Sequence, residues 1–176
     1  KIFANFCIMT GAYRTGMSLI EKLIYLDFKP HIQHELIMLY LSLIVASGDQ
    51  SISVPEILET AEELLSDAMT DGTLTGDALT AAKRNQTAYT VTALIGAGEY
   101  DSARDELEKL FSLGTEGVIQ LAGTAASDLV DAWLALGERE AALEFISHHE
   151  EFFASLLDNA DISERCKENA IASLSL

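Results

Sequence analysis

Basic residues are scarce in this chain. Lys and Arg number 11 against 28 Asp and Glu, a formal charge of −17 over 176 residues. Gripping a phosphate backbone or an anionic membrane takes clustered Lys and Arg, so neither nucleic acid nor membrane is an expected partner of this segment. Proline occurs twice and glycine eleven times, which excludes collagen-like and Pro-rich low-complexity chains. The two cysteines, Cys7 and Cys166, lie at opposite ends and form no CxxC pair. They read as buried free thiols in a reducing compartment, hence a cytoplasmic protein. Trp133 is the one tryptophan, and so few aromatics offer little to stack nucleobases on. The longest apolar run, residues 36–46, falls short of the roughly 20 residues that span a bilayer. No secretory signal is visible.

Apolar residues make up 49 % of the chain, enough to build a core despite the charge. The acidity is uneven. Residues 1–50 hold four acids and four bases, whereas residues 101–150 hold eleven acids and three bases. A neutral, apolar quarter followed by an acidic remainder is the pattern of a chain covered at one end, and residues 31–47 are the expected dimer contact. The chain opens at Lys1, inside its first expected helix, and so reads as a piece of a longer protein.

Apolar residues recur at period 3.6 almost throughout, and no segment alternates as a strand would. The pattern predicts nine helices, over residues 2–10, 17–27, 31–47, 53–69, 77–97, 100–112, 116–136, 138–157 and from 161 onward. Ser53 and Glu56 have the spacing of a capping box with Pro55 in the first turn, and Asp161 with Glu164 repeats that spacing.

Three turns repeat a pattern. Gly11-Ala-Tyr-Arg-Thr-Gly16, Gly98-Glu-Tyr-Asp-Ser-Ala103 and Gly137-Glu-Arg-Glu-Ala-Ala142 each place a tiny residue five after a glycine. A bulky aliphatic follows nine after it: Ile20, Leu107 and Ile146. Glycine ends a helix with positive φ at no steric cost, and the tiny residue lets the next helix pack close. Gly48 marks a fourth, stretched copy. With Gly98-Glu-Tyr-Asp-x-Ala103, Gly137-Glu-Arg-Glu-x-Ala142 and an aromatic Trp133 one turn before Gly137, the chain resembles the tetratricopeptide repeat family. The spacing is longer than that family's 34 residues, and its closing proline is missing. The resemblance implies an all-α fold, a single solenoid-like domain over residues 1–176 of stacked antiparallel helix-turn-helix hairpins. An irregular α-bundle is the alternative.

Chemistry has little to stand on. His31 and His34 share a helix face, yet no thiolates lie near in sequence to complete a metal site. No Glu-x-x-His occurs. Gly11 to Ser18 has the outline of a phosphate loop, but Met17 replaces its lysine and no strand precedes it. No nucleophile, base and oxyanion donor can be assembled, so no enzyme, no metal and no cofactor is expected. The resemblance implies instead a concave groove for a protein or peptide, lined by the first helix of each hairpin. Counted back from each turn glycine, its positions fall on Glu35, Met38 and Ser42; on Asn85, Tyr89 and Thr92; and on Thr124, Ser127 and Asp131. A neutral, apolar or basic ligand suits the acidic field. The second reading is the sensor or oligomerisation domain of a larger bacterial transcription regulator.

Overall fold

The computed structural model describes residues 2–48, 52–160 and 162–176. The described residues form ten α-helices and no strand: α1 (Ile2–Thr10), α2 (Tyr13–Ile24), α3 (Pro30–Ser47), α4 (Val54–Thr70), α5 (Gly76–Ala97), α6 (Tyr100–Leu113), α7 (Ile119–Leu136), α8 (Arg139–His148), α9 (Glu150–Asp158) and α10 (Glu164–Leu174). They divide into two compact units, residues 1–86 and 87–176, with the division inside α5.

The three turns that match in sequence also match in geometry. Gly11, Gly98 and Gly137 have φ of 69°, 78° and 81°. The residue after each closes the preceding helix with a 6→1 hydrogen bond: Ala12 to the Cys7 carbonyl at 2.9 Å, Glu99 to Leu94 at 2.9 Å, Glu138 to Trp133 at 2.8 Å. That bond defines a Schellman turn, which needs a left-handed residue and so favours glycine. The same residue begins the next helix, because its carbonyl accepts from the tiny residue: Gly16 to Ala12, Ala103 to Glu99, Ala142 to Glu138. Its backbone angles agree in all three, φ/ψ being −83°/41°, −91°/63° and −84°/53°. One residue thus serves as the end of one helix and the start of the next. The tiny residues and the aliphatics Ile20, Leu107 and Ile146 are all buried.

In the first unit, α3 is central and packs against α1, α2 and α4, while α1 also packs on α2. Its nearly all-apolar sequence follows from that: Ile37, Met38, Leu41, Leu43 and Ile44 point into neighbours on more than one side. Gly16 is as small as it is because a Cβ there would stand 2.9 Å from Leu43 Cδ1 and 3.1 Å from Cys7 Cβ.

In the second unit, α7 is central and touches α6, α8, α9 and α10. Ala122, Gly123, Ala125 and Ala126 are all buried on it, and small side chains let several helices approach one axis. Trp133 packs edge-on against Phe145, ring centroids 5.6 Å apart. Gln120 bonds Ser163, and Gly123 abuts Cys166. Both pairs are 43 residues apart, so α7 and α10 run in the same direction, in register.

Three expectations are corrected. The helix expected over residues 138–157 is broken at His149 into α8 and α9. His149 donates its N–H to the carbonyls of Phe145 and Ile146, and its own carbonyl accepts from Phe153. Its ring lies 4.6 Å from that of Phe111 and 4.7 Å from that of Phe145, while Nε2 sits 2.7 Å from Glu108 Oε1 on α6. A tertiary anchor therefore overrides the helical periodicity. At the start of α10, Asp161 lies outside the described residues, and Ser163 caps the helix by accepting from Cys166 N–H. Ser53 does stand at the N-cap of α4, but its side chain makes no capping hydrogen bond.

Candidate protein-binding surface

The nine groove positions separate by depth. On α3, Glu35 is exposed and Ser42 half-buried, its hydroxyl donating to the Leu39 carbonyl. Met38 is a core side chain, 4 % exposed. On α5, Asn85, Tyr89 and Thr92 are half-buried, and Thr92 donates to the Ala88 carbonyl. On α7, Asp131 is exposed, Thr124 half-buried, and Ser127 only 1 % exposed. Asn85 belongs to the first unit, and Tyr89 and Thr92 to the second.

The two buried positions share a cause. Met38 and Ser127 both stand ten residues before their turn glycine, and the residue at that place in α5, Ala88, is fully buried too. The residue nine before the glycine is less covered: Leu39 and Tyr89 are half-buried, Leu39 packing partly on the core, and Asp128 is exposed. Glu35-Leu39-Ser42, Asn85-Tyr89-Thr92 and Thr124-Asp128-Asp131 then each follow the spacing i, i+4, i+7 of a single helix face. Leu39 and Asp128, rather than the covered Met38 and Ser127, complete that spacing on the less covered face. The apolar period does contain the signal: position −10 is apolar or small in all three helices, whereas −9 reads leucine, tyrosine, aspartate.

The α7 stripe is acidic. Asp128 is exposed, but its carboxyl is partly desolvated by its neighbours, which pushes it above the ordinary carboxylate range; the adjacent Asp131 adds to this, and Arg165 opposes it. Thr124 is held by its own backbone, donating to the Gln120 carbonyl at 3.0 Å. It also bonds Cys166, whose thiol burial nonetheless pushes up, with Asp128 contributing in the same direction. Cys7 and Cys166 are both buried free thiols.

The histidines of α3 behave differently from a chelating pair. His34 is buried with Nε2 3.1 Å from Gln86 Oε1. Burial lowers its pKa, against the opposing effects of Gln86 and Glu35. His31 Nδ1 is buried without a hydrogen-bond partner. Among the described residues no three His, Cys, Asp or Glu side chains converge as a metal-binding group. At the first turn, Met17 is buried rather than presented to a phosphate, and α1 rather than a strand precedes it.

A second accessible surface lies on α1. Cys7 points inward, while Ile2, Phe3, Phe6 and Met9 are 89 %, 43 %, 59 % and 87 % exposed. Tyr25 and Leu26, just past α2, are 88 % and 50 % exposed. Among the described residues no helix is long and apolar enough to cross a membrane. No protein family, no curated protein and no solved structure matches this chain.

Proposed function

We propose that this chain is a non-catalytic, cytoplasmic protein-binding module built from tetratricopeptide-like helical hairpins, each unit binding its ligand by its own helix faces: Glu35, Leu39 and Ser42 of α3 in the first, and Thr124, Asp128 and Asp131 of α7 in the second. The observation that carries the reading is the turn geometry shared by Gly98 and Gly137 after α5 and α7, and by Gly11 after α1, while Gly48 ends α3 in the same left-handed conformation, φ 65°. In helical-repeat proteins the exposed faces of such hairpins bind extended or helical segments. The side chains on offer are short, polar or aromatic, with carboxylates at Glu35, Asp128 and Asp131. A basic or neutral peptide fits that field. Buried free thiols suit a reducing cytoplasm.

The test is selection from a peptide library on the immobilised chain, followed by titration of the selected peptide. Asp131→Ala should weaken a peptide bound on the α7 face, and Asn85→Ala one bound on the α5 face, each by about 3- to 10-fold, the range for truncating a contact worth roughly 1 kcal/mol. A library that yields no binder, or binding indifferent to both substitutions, would contradict the reading.

A further inference from the structure

We propose that α1 is a self-association surface, and that two copies of this chain pair through it about a two-fold axis. The helix is docked on its own unit by one side only: it packs on α2 and α3, and Cys7 is buried beneath Gly16. Its other side carries Ile2, Phe6 and Met9 at i, i+4 and i+7, with Phe3 beside them. At about 200 Å² per large side chain, the exposed fractions of these four amount to roughly 550 Å² of apolar surface. That is the upper end of what a monomer leaves open, and most of the ~800 Å² that each partner gives to a standard interface.

Charge selects a second copy as the occupant. The chain carries −17 overall, so two copies repel wherever acidic surface meets acidic surface. Residues 1–50 are balanced, four acids against four bases, and no ionised side chain lies in the first or last turn of α1. This is the one quarter of the sequence where like can approach like, and pairing here dehydrates no charge on the helix. A lipid surface is a poorer fit, because interfacial helices add a Lys/Arg-rich face that α1 does not have. The stripe is nearly symmetric about Phe6. Laid antiparallel on its copy, it sets Phe6 on Phe6 and each Ile2 on the opposite Met9, the self-complementary contact of a closed dimer.

Light scattering across a concentration series should give a mass rising from 19.1 kDa toward twice that value. Phe6→Glu should hold the mass at one chain at all concentrations. Protection of Cys7 and Cys166 from a thiol reagent shows that the variant is folded, and Met9→Glu, at a more exposed position, gives the same reading if Phe6→Glu is not. Phe6→Cys should form a symmetric disulfide on mild oxidation, whereas Ser155→Cys on α9 should not. A wild-type chain that stays at 19.1 kDa to millimolar concentration overturns the proposal. So does a dimer whose mass is indifferent to Phe6→Glu and Met9→Glu, and so does a monomer that co-sediments with phosphatidylglycerol vesicles. These residues are distinct from the nine stripe residues: a monomer that still binds its peptide removes the dimer alone, and a dimer that binds none removes the peptide reading alone.

Discussion

Gly123 of α7 lies so close to α10 that a Cβ added to it would stand 2.9 Å from the sulfur of Cys166. Leu156 Cδ1 is equally close, and Leu156 and Cys166 are both buried. The first unit repeats the device with Gly16, where an added Cβ would stand 3.2 Å from the sulfur of Cys7. Each unit thus seats its one cysteine under a helical glycine. Gly123→Ala should gain up to about 1 kcal/mol of helix propensity and lose about 1–3 kcal/mol to overpacking. We expect a net loss of about 1–2 kcal/mol by urea unfolding, smaller in the Cys166→Ala background. A stabilised variant would mean that the seam has room to spare.

Gly96 and Gly98 stand two residues apart and should respond with opposite sign. Gly98 has φ 78°, where an L side chain costs roughly 1–2 kcal/mol. Gly96 lies inside α5 without a positive φ, and nothing lies within 4 Å of its would-be Cβ. Gly98→Ala should therefore destabilise by about 1 kcal/mol or more, and Gly96→Ala stabilise by roughly 0.5–1 kcal/mol. Equal effects at the two positions, measured as shifts of the urea midpoint, would argue against the Schellman turn at Gly98.

Stability should fall as pH drops below His34's ordinary pKa of about 6.5. Burial lowers the folded-state pKa, so the unfolded chain binds the proton first and acidification favours unfolding. The loss runs from the unfolded pKa down to the folded one. His34→Gln should flatten this part of the profile. Asp128 has the opposite sign: its folded pKa is raised, so its stabilising contribution is present below the ordinary carboxylate pKa and is lost as pH rises through the folded value. Asp128→Asn should be more stable than wild type at neutral pH, and that advantage should vanish in acid. Profiles unchanged by either substitution would contradict both assignments.

The break at His149 rests on its bond to Glu108 across 41 residues of sequence. A double-mutant cycle of Glu108→Ala and His149→Ala should give a coupling of about 0.5–1 kcal/mol, discounted because the glutamate is half exposed. A coupling near zero would show that the aromatic contacts alone hold the break.

Helices were legible because apolar period and glycine punctuation are local signals, and the turns at Gly11, Gly98 and Gly137 are encoded within six residues. The start of α2 at Tyr13, four residues before the expected position, was hidden because Ala12 begins the helix through backbone geometry alone, with no side-chain cap. The α8–α9 break was hidden because its cause, Glu108 and Phe111, sits on another helix. At Met38 and Ser127 the expected groove positions fall on covered residues. Counting from a glycine fixes the helical phase only to within one residue, about 100° of rotation, and which of two neighbours is covered depends on the helices packed alongside. At Ser127 the covered residue keeps a hydroxyl without a hydrogen-bond partner, a feature no local pattern encodes.

Amide NMR of the chain titrated with its selected peptide tests the binding reading most directly. The expected shifts cluster on α3, α5 and α7 around Glu35, Leu39 and Ser42, Asn85, Tyr89 and Thr92, and Thr124, Asp128 and Asp131. Shifts confined to α1 or to α8–α10, or no shifts at saturating peptide, would contradict it.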